Sequence, residues 1–462
     1  MLRLMPKIAC ALAPLAAAAS LHAQDATNVD LAPTNESAQS WNFHVLNTDI
    51  VQGYPAYSAK YSGPNSLPPG GEIRETLDLD LFAGVRLWPG AEAHIDCLTW
   101  QGFGIGNTIG AEGFPNGEAF KLGTALPNVN LARLFLRQTI PLGPGEDESV
   151  ESDALTLAGK LPVSRLTLTL GKMSAKDIFD NNTYANDPAT QFMNWGLMAN
   201  EAWDYPGDVL GFTTGFAAEL NQPAWALRYG FFQMPRVSNG AAWDHHYLEA
   251  WAMAAEFERR FSLGAHPGAV RLLAFLNRAH MGSYGEAAAE NVNIVSTRAY
   301  RSKYGFGLNF EQEIVKNIGF FSRLGWSDGH NEAWVFSDVD RTATAGFSLK
   351  GGFWSRPADT VGIAGVVDGA STVHQRFLAG GGTGILAGDG ALSYGWEKDL
   401  EAYYDIAFCA HVHGSVDYQL ITDPAFNRDR GPISVFGARL HAEFCRIFVL
   451  AKPLRCRNFK AQ

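Results

Sequence analysis

The sequence predicts an all-β protein: a transmembrane antiparallel β-barrel of about sixteen strands, with short periplasmic turns and long extracellular loops. Three observations carry this expectation. Segment after segment alternates apolar and polar residues with a period of two. Beyond the N-terminus no run of eighteen apolar residues occurs, which argues against helical spans, whereas alternating strands hide their signal in an average hydropathy near zero. The connections between segments also tend to fall into long and short classes, as they do when one barrel end faces the cell exterior and the other the periplasm.

The clearest segment is 433–444. Phe436, Ala438, Leu440, Ala442 and Phe444 share one face, and Val435, Gly437, Arg439, His441 and Glu443 share the other, because successive strand side chains point to opposite sides. Its length suits a tilted crossing of a bilayer, and it ends on an aromatic where an interfacial girdle would sit. It is expected to close the barrel.

In chain order, 41–52 is expected to be the first strand, with a Gly, Pro and Ser-rich loop after it. In 77–87, Leu77, Leu79, Leu81, Ala83, Val85 and Leu87 oppose Asp78, Asp80, Phe82, Gly84 and Arg86. The turn Trp88-Pro89-Gly90 leads to 91–97, where Glu92, His94 and Asp96 alternate with Ala91, Ala93, Ile95 and Cys97. After a Gly-rich loop over 101–130, 131–140 sets Leu134 and Leu136 against Arg133, Phe135 and Arg137. Strands are expected again near 166–170, 211–220 and 224–233, then at 248–261, 270–279, 303–313, 318–326, 342–352, 360–368, 400–410 and 412–421. The pattern asks for a short connection at 141–164, yet the sequence there is long and acidic, so extra structure is expected.

Composition narrows the class. The 462 residues suffice for one large barrel. Aromatics make up 12% and charged residues only 18%, which suits aromatic-flanked strands. Residues 1–23 read as a secretory signal: Arg3 and Lys7, an apolar stretch over 8–21, and Ala23 before the cleavage point. Losing them takes the formal charge from −11 to −13, so the chain is a poor nucleic-acid binder. Residues 24–40 read as a flexible periplasmic lead-in. Cys97, Cys409, Cys445 and Cys456 lack C-x-x-C spacing, which argues against a disulfide-stapled fold or a zinc site.

Several stretches together resemble a known family. They are Leu87-Trp88-Pro89-Gly90-Ala91-Glu92, the run 101–108 with 113–119, Asp177-Ile178-Phe179-Asp180-Asn181-Asn182, Gln191-Phe192-Met193-Asn194-Trp195, and 427–432 through 441–444. In order, over roughly 41–444, the chain resembles the carbohydrate-selective porins of Gram-negative outer membranes. The resemblance implies a sixteen-stranded barrel passing small sugars such as glucose by facilitated diffusion, without catalysis or cofactor. It also implies outer-membrane lipid as surroundings and the outer-membrane assembly machinery, which reads a terminal aromatic, as a partner. The chain departs from the family by continuing past Phe444 through 445–462. Association into a homo-oligomer is left open.

A sugar passage needs donors and acceptors to replace water, and aromatic surfaces for C–H faces, without holding on too tightly. The expected inward faces supply Asp78, Asp80, Arg86, Arg133, Phe135, Arg137, Arg323, Asp417 and Gln419. An arginine facing lipid near the midplane would cost about 2–4 kcal/mol, which sets the direction of each. The loop 173–210 is the candidate constriction, through Asp180, Asn181, Asn182, Asn194 and Trp195, with Asn186, Asp187, Trp203 and Asp204 nearby. The competing readings are a general diffusion porin, an outer-membrane barrel lipase or deacylase, and a non-conducting adhesin.

Overall fold

The computed structural model describes residues 38–119, 121, 123–449 and 452–454. The expected signal at 1–23, the lead-in as far as 37, and positions 450, 451 and 455–462 of the tail lie outside the described residues.

Alternation over long stretches yields long strands. In chain order they are β1 (Trp41–Tyr54), β2 (Glu72–Trp88), β3 (Ala91–Gly102), β4 (Thr124–Pro141), β5 (Asp147–Val150), β6 (Gly159–Pro162), β7 (Arg165–Met173), β8 (Thr213–Gln222), β9 (Trp225–Gln233) and β10 (Trp251–Leu263). Then follow β11 (His266–Met281), β12 (Ala299–Val315), β13 (Ile318–Ser327), β14 (Arg341–Lys350), β15 (Thr360–Gly369), β16 (Glu397–Cys409), β17 (Val412–Thr422), β18 (Ile433–Val449) and β19 (Lys452–Leu454). β5 and β6 pair only with each other, and β19 only with β18. The other sixteen each pair antiparallel with the next, and β18 closes on β1, from Asn42 opposite Ile447 to Gly53 opposite Phe436. Every expected segment corresponds to one of these sixteen strands.

The faces follow the sequence. On β18, Phe436 and Phe444 are exposed while Val435, Arg439 and His441 are buried. On β1, Asn42, His44, Thr48 and Gln52 turn inward; Trp41, Phe43 and Val51 are exposed. Aromatics mark both rims: Trp41 and Trp88 at the short-turn end, Tyr304 and Trp396 at the long-loop end. Inside, charge is paired across strands. Arg228 reaches Glu219 (2.5 Å), Glu256 (2.7 Å) and Glu258 (3.1 Å), and Arg271 continues the chain from Glu258 (2.8 Å) to Glu311 (3.1 Å). Buried charges persist only when paired in this way.

The connection 142–164 carries the extra structure expected of it, the β5–β6 hairpin. Three details depart from the expectation. Gln39, within the expected lead-in, is buried, and its backbone N–H donates to the Ala158 carbonyl at 3.0 Å. The closing strand passes Phe444 and runs on to Val449, because β1 begins far enough back for Asn42 to meet Ile447. Cys97 and Cys409 are free thiols, but Cys445 is disulfide-bonded, which the spacing did not announce.

The face assignment predicts a depth-dependent penalty. Leu79→Arg, in the middle of the β2 lipid face, is expected to lower folding stability in vesicles by about 2–4 kcal/mol, whereas Ile73→Arg at the long-loop end should cost at most about 1 kcal/mol. Urea titration of folding into lipid vesicles reads both.

Candidate functional site

Apart from 142–164, the long connections leave the same end of the barrel, and the longest, 174–212, turns back into it. Its first turn is fixed by a capping box: the Ser174 hydroxyl accepts the Lys176 N–H (3.3 Å), and the Asp177 carboxylate accepts the Ser174 N–H (3.0 Å). Asp177 also receives two parallel bonds from Arg133 on β4, at 2.9 and 2.8 Å, while the third arm of that guanidinium donates to Asp96 on β3 at 2.6 Å. Such forked pairs fix orientation as well as charge.

Beyond this turn the loop crosses to the opposite wall. Asp180 adopts a left-handed backbone, φ 57°, a conformation Asp tolerates better than most residues. Its carboxylate accepts from Arg323 Nε on β13 (3.1 Å), Asn309 Nδ2 on β12 (2.7 Å) and the Asn200 N–H (2.8 Å). Arg323 donates further to the carbonyls of Asp180 (3.1 Å), Ala185 (2.7 Å) and Leu197 (2.9 Å). Glu311 on β12 accepts the Thr183 N–H at 2.7 Å, and Arg439 on β18 donates to the carbonyls of Pro188 (2.6 Å) and Gln191 (2.9 Å). Glu401 on β16 takes the N–H groups of Met193 (2.7 Å) and Asn194 (2.8 Å). The Asn194 amide spans to Asp399 (3.1 Å) and Gln419 (3.2 Å), and Gln419 donates to Asp417 (3.0 Å).

A second loop, 103–123, meets the first. The Gly117 N–H donates to the Met193 carbonyl (2.7 Å), and the Phe114 ring stacks on Trp195 at 5.2 Å. Gln52 on β1 and Gln419 on β17 both donate to the Pro115 carbonyl, at 2.7 and 2.8 Å. Glu118 is thereby placed where the charges of Asp187, Arg439 and Arg133 act on it. Burial and Asp187 push its carboxyl up to about 7, against the pull of the two arginines. Burial would also raise Asp180, but Arg323 and Lys176 outweigh it and hold the carboxyl below its usual range. Lys176 goes the other way, pulled down by burial to about 8 although Asp180 faces it.

The expected site residues separate into two groups. Arg323, Asp180, Asn182 and Asn194 are buried and act as fasteners of the loop. Trp195 is packed against Phe114 and, at 4.9 Å, Phe336, so it presents little open face. Trp203 packs on Phe179 and Tyr205, and Asp204 accepts the N–H of Val335 (2.8 Å). Asn181 stays partly open, accepting from Asn186 at 3.3 Å. On the other wall, the Arg133 side chain keeps 17% of its surface exposed against 0% for Arg323, with Asp78 and Asp80 inward on β2. Phe135 stacks on His94 at 5.0 Å, and Arg137 lies 5.1 Å over its ring. Arg86 shares the face of Asp78 and Asp80 but does not meet them; it pairs with Glu92 (3.2 Å) and the Gln39 carbonyl (3.1 Å) near the short-turn end. Sequence reasoning missed Glu118, Asp177, Asp399 and Glu401. The period-two series Glu397, Asp399, Glu401 was a legible signal for an inward acidic stripe.

Comparison with known proteins accords with the sixteen-stranded barrel. A family model described as the carbohydrate-selective porin, OprB family, matches residues 65–444. Among solved structures, a high-pH structure of OprB from Pseudomonas putida superposes with a TM-score of 0.66 at 16% identity, covering 88% of this chain and 94% of that one. A low-pH structure of the same protein gives 0.48 at 13% identity, over 88% and 93%. The outer-membrane channel DcaP of Acinetobacter baumannii gives 0.47 at 9%, over 87% and 96%. No curated protein matches the chain.

Two outcomes are expected. Arg323→Ala strands a buried carboxylate and three carbonyls, and should lower the local opening free energy of 174–212 by about 3–5 kcal/mol, read as faster amide exchange at Asn200 and faster proteolysis of the loop. Raising the pH through about 7 ionises Glu118 and adds a negative charge to the lumen within reach of Arg133 and Arg439. The reversal potential in a KCl gradient should therefore move toward cation selectivity, and Glu118→Gln should flatten that step.

Proposed function

The chain belongs to the carbohydrate-selective porins of the OprB family, and from that premise we propose that it passes small neutral sugars, glucose among them, through the gap between loop 174–212 and the β1–β4 wall. As a member it is a multi-pass β-barrel of the outer membrane and a passive channel for sugars, and neither its family nor its fold is that of an enzyme. The finer reading concerns which residues a sugar meets. Arg133 carries it: fixed by Asp96 and Asp177, partly exposed, and 4.9 Å from the Phe212 ring.

A guanidinium held in a fork can donate to successive hydroxyls while its charge stays neutralised. Carboxylates alongside, Asp80, Asp177 and Glu118, accept from the same solute. Donors and acceptors in alternation replace water without a deep well, as conduction requires. Inorganic ions gain little there, because the charges already answer one another. Arg137 and Phe135 continue the same face toward the periplasm. Arg323, Asp417, Gln419 and Asn194 serve indirectly by holding the opposite side of the gap. Residues 1–23 serve export, and the aromatic Phe444 near the chain end is what the assembly machinery would read.

Liposome swelling with the refolded protein checks this. Monosaccharides should equilibrate faster than amino acids of the same size, and Arg133→Ala should reduce that advantage while leaving the barrel folded. Equal rates for all solutes would make it a general diffusion porin, and no swelling from a folded barrel would remove the channel reading.

A further inference from the structure

At the short-turn end, β8–β9, β10–β11, β12–β13 and β16–β17 are joined by tight turns. The β4–β7 connection differs. Past Pro141 opposite Arg165, the two chains stay paired through Leu142 with Ser164 and Val163 with Glu146, then as β5 with β6, to a bridge of Asp153 with Thr156. One long hairpin therefore continues off the barrel wall and bends over the mouth.

Its tip, 151–158, lies on the lumen face of other strands. Asn42 on β1, itself 1% exposed, sets Nδ2 2.9 Å from the Asp153 carbonyl, 3.1 Å from that of Thr156 and 3.0 Å from the Ser152 hydroxyl. Arg137 on β4 donates to the Leu155 carbonyl at 2.7 Å. Gln39 clasps Ala158 at both ends, its N–H giving 3.0 Å to the carbonyl and its Oε1 accepting 2.6 Å from the N–H. Leu157 is 2% exposed, and Leu155 packs on the cluster that holds Phe135. The hairpin thus reaches from β4 past β3 and β2 to β1. That is the wall that borders the proposed sugar path beside loop 174–212. Arg133 and Arg137 share one strand face four positions apart, about 13 Å along it, so a solute leaving Arg133 next meets the tip.

We propose that residues 151–158 form a second, specificity-determining constriction on the periplasmic side, in series with the one at Arg133. This rests on the sugar-channel reading. The first narrowing selects by hydrogen bonding; the second acts by size, since the carbonyls of Asp153, Leu155 and Thr156 at its tip are already taken by Asn42 and Arg137. Asn42 and Arg137 are positioning residues for the tip. Each exit from the barrel then carries its own filter, and monosaccharides are favoured over longer sugars at the periplasmic one.

Two variants act in opposite directions. Replacing 147–162 by an Asn-Gly turn removes the tip and leaves the β4–β7 hairpin. It should raise single-channel conductance in KCl and speed disaccharide swelling severalfold relative to monosaccharide. Ala154→Trp keeps the hairpin and adds bulk at the tip; it should lower conductance and slow both sugars. Heat-modifiable gel mobility identifies folded barrel in each case. If the folded tipless barrel conducts and discriminates like the original, or if Ala154→Trp changes nothing, the second constriction is overturned. Failure of the sugar reading looks different: the unaltered protein would pass sugars and size-matched amino acids equally, whatever the tip does.

Discussion

A strand in hydrocarbon cannot leave backbone N–H or C=O groups unpaired, because no water is there to take them. Everything else in this chain follows from meeting that constraint by closure. β1 must find β18, so register is pinned from Asn42 opposite Ile447 to Gly53 opposite Phe436. Once the ring is closed, one face of every strand meets lipid and the other meets an enclosed lumen. Charge is excluded from the first and collected in the second. The lumen then has to neutralise what it collects, and chains such as Glu219–Arg228–Glu258–Arg271–Glu311 do so by tying neighbouring strands together.

The same chemistry shapes the passage. A lumen lined with carboxylates and guanidinium groups attracts any loop that can offer N–H groups and carbonyls. Loop 174–212 offers both. Glu401 and Glu311 take its N–H groups, and Arg323 and Arg439 take its carbonyls. These wall residues lie on β12, β13, β16 and β18, so most of the loop's fastenings are to that side of the barrel. Arg133, on β4 across the lumen, is partly exposed and is oriented by the first turn of the same loop. In the proposed reading Arg133 meets the solute, while Arg323 and Arg439 hold the body of the loop.

The division between Arg133 and Arg323 shows how far the sequence could be read. Alternation within a strand told that both point inward, and the cost of an arginine in lipid gave the reason. It could not tell which would remain exposed. That depends on Asp177 and Asp180, which a strand pattern does not locate relative to the wall. The faces of β2, β9 and β18 were legible for the same reason, since period two is a local property. The packing of Trp195 between Phe114 and Phe336 was not, because its partners come from two other loops. At the short-turn end, 141–164 stood out as too long and too acidic, but its inward bend is set by Asn42 and Gln39, whose amides carry no directional signal in a sequence.

The most direct check of the account is the ion current through a single reconstituted barrel as glucose is added. A narrow gap with a weak sugar site at Arg133 predicts brief interruptions of the current, more frequent as glucose rises and seen with sugar on either side. A large, steady current that glucose leaves untouched would mean that loop 174–212 does not form the narrowing, and the account would fail at its centre.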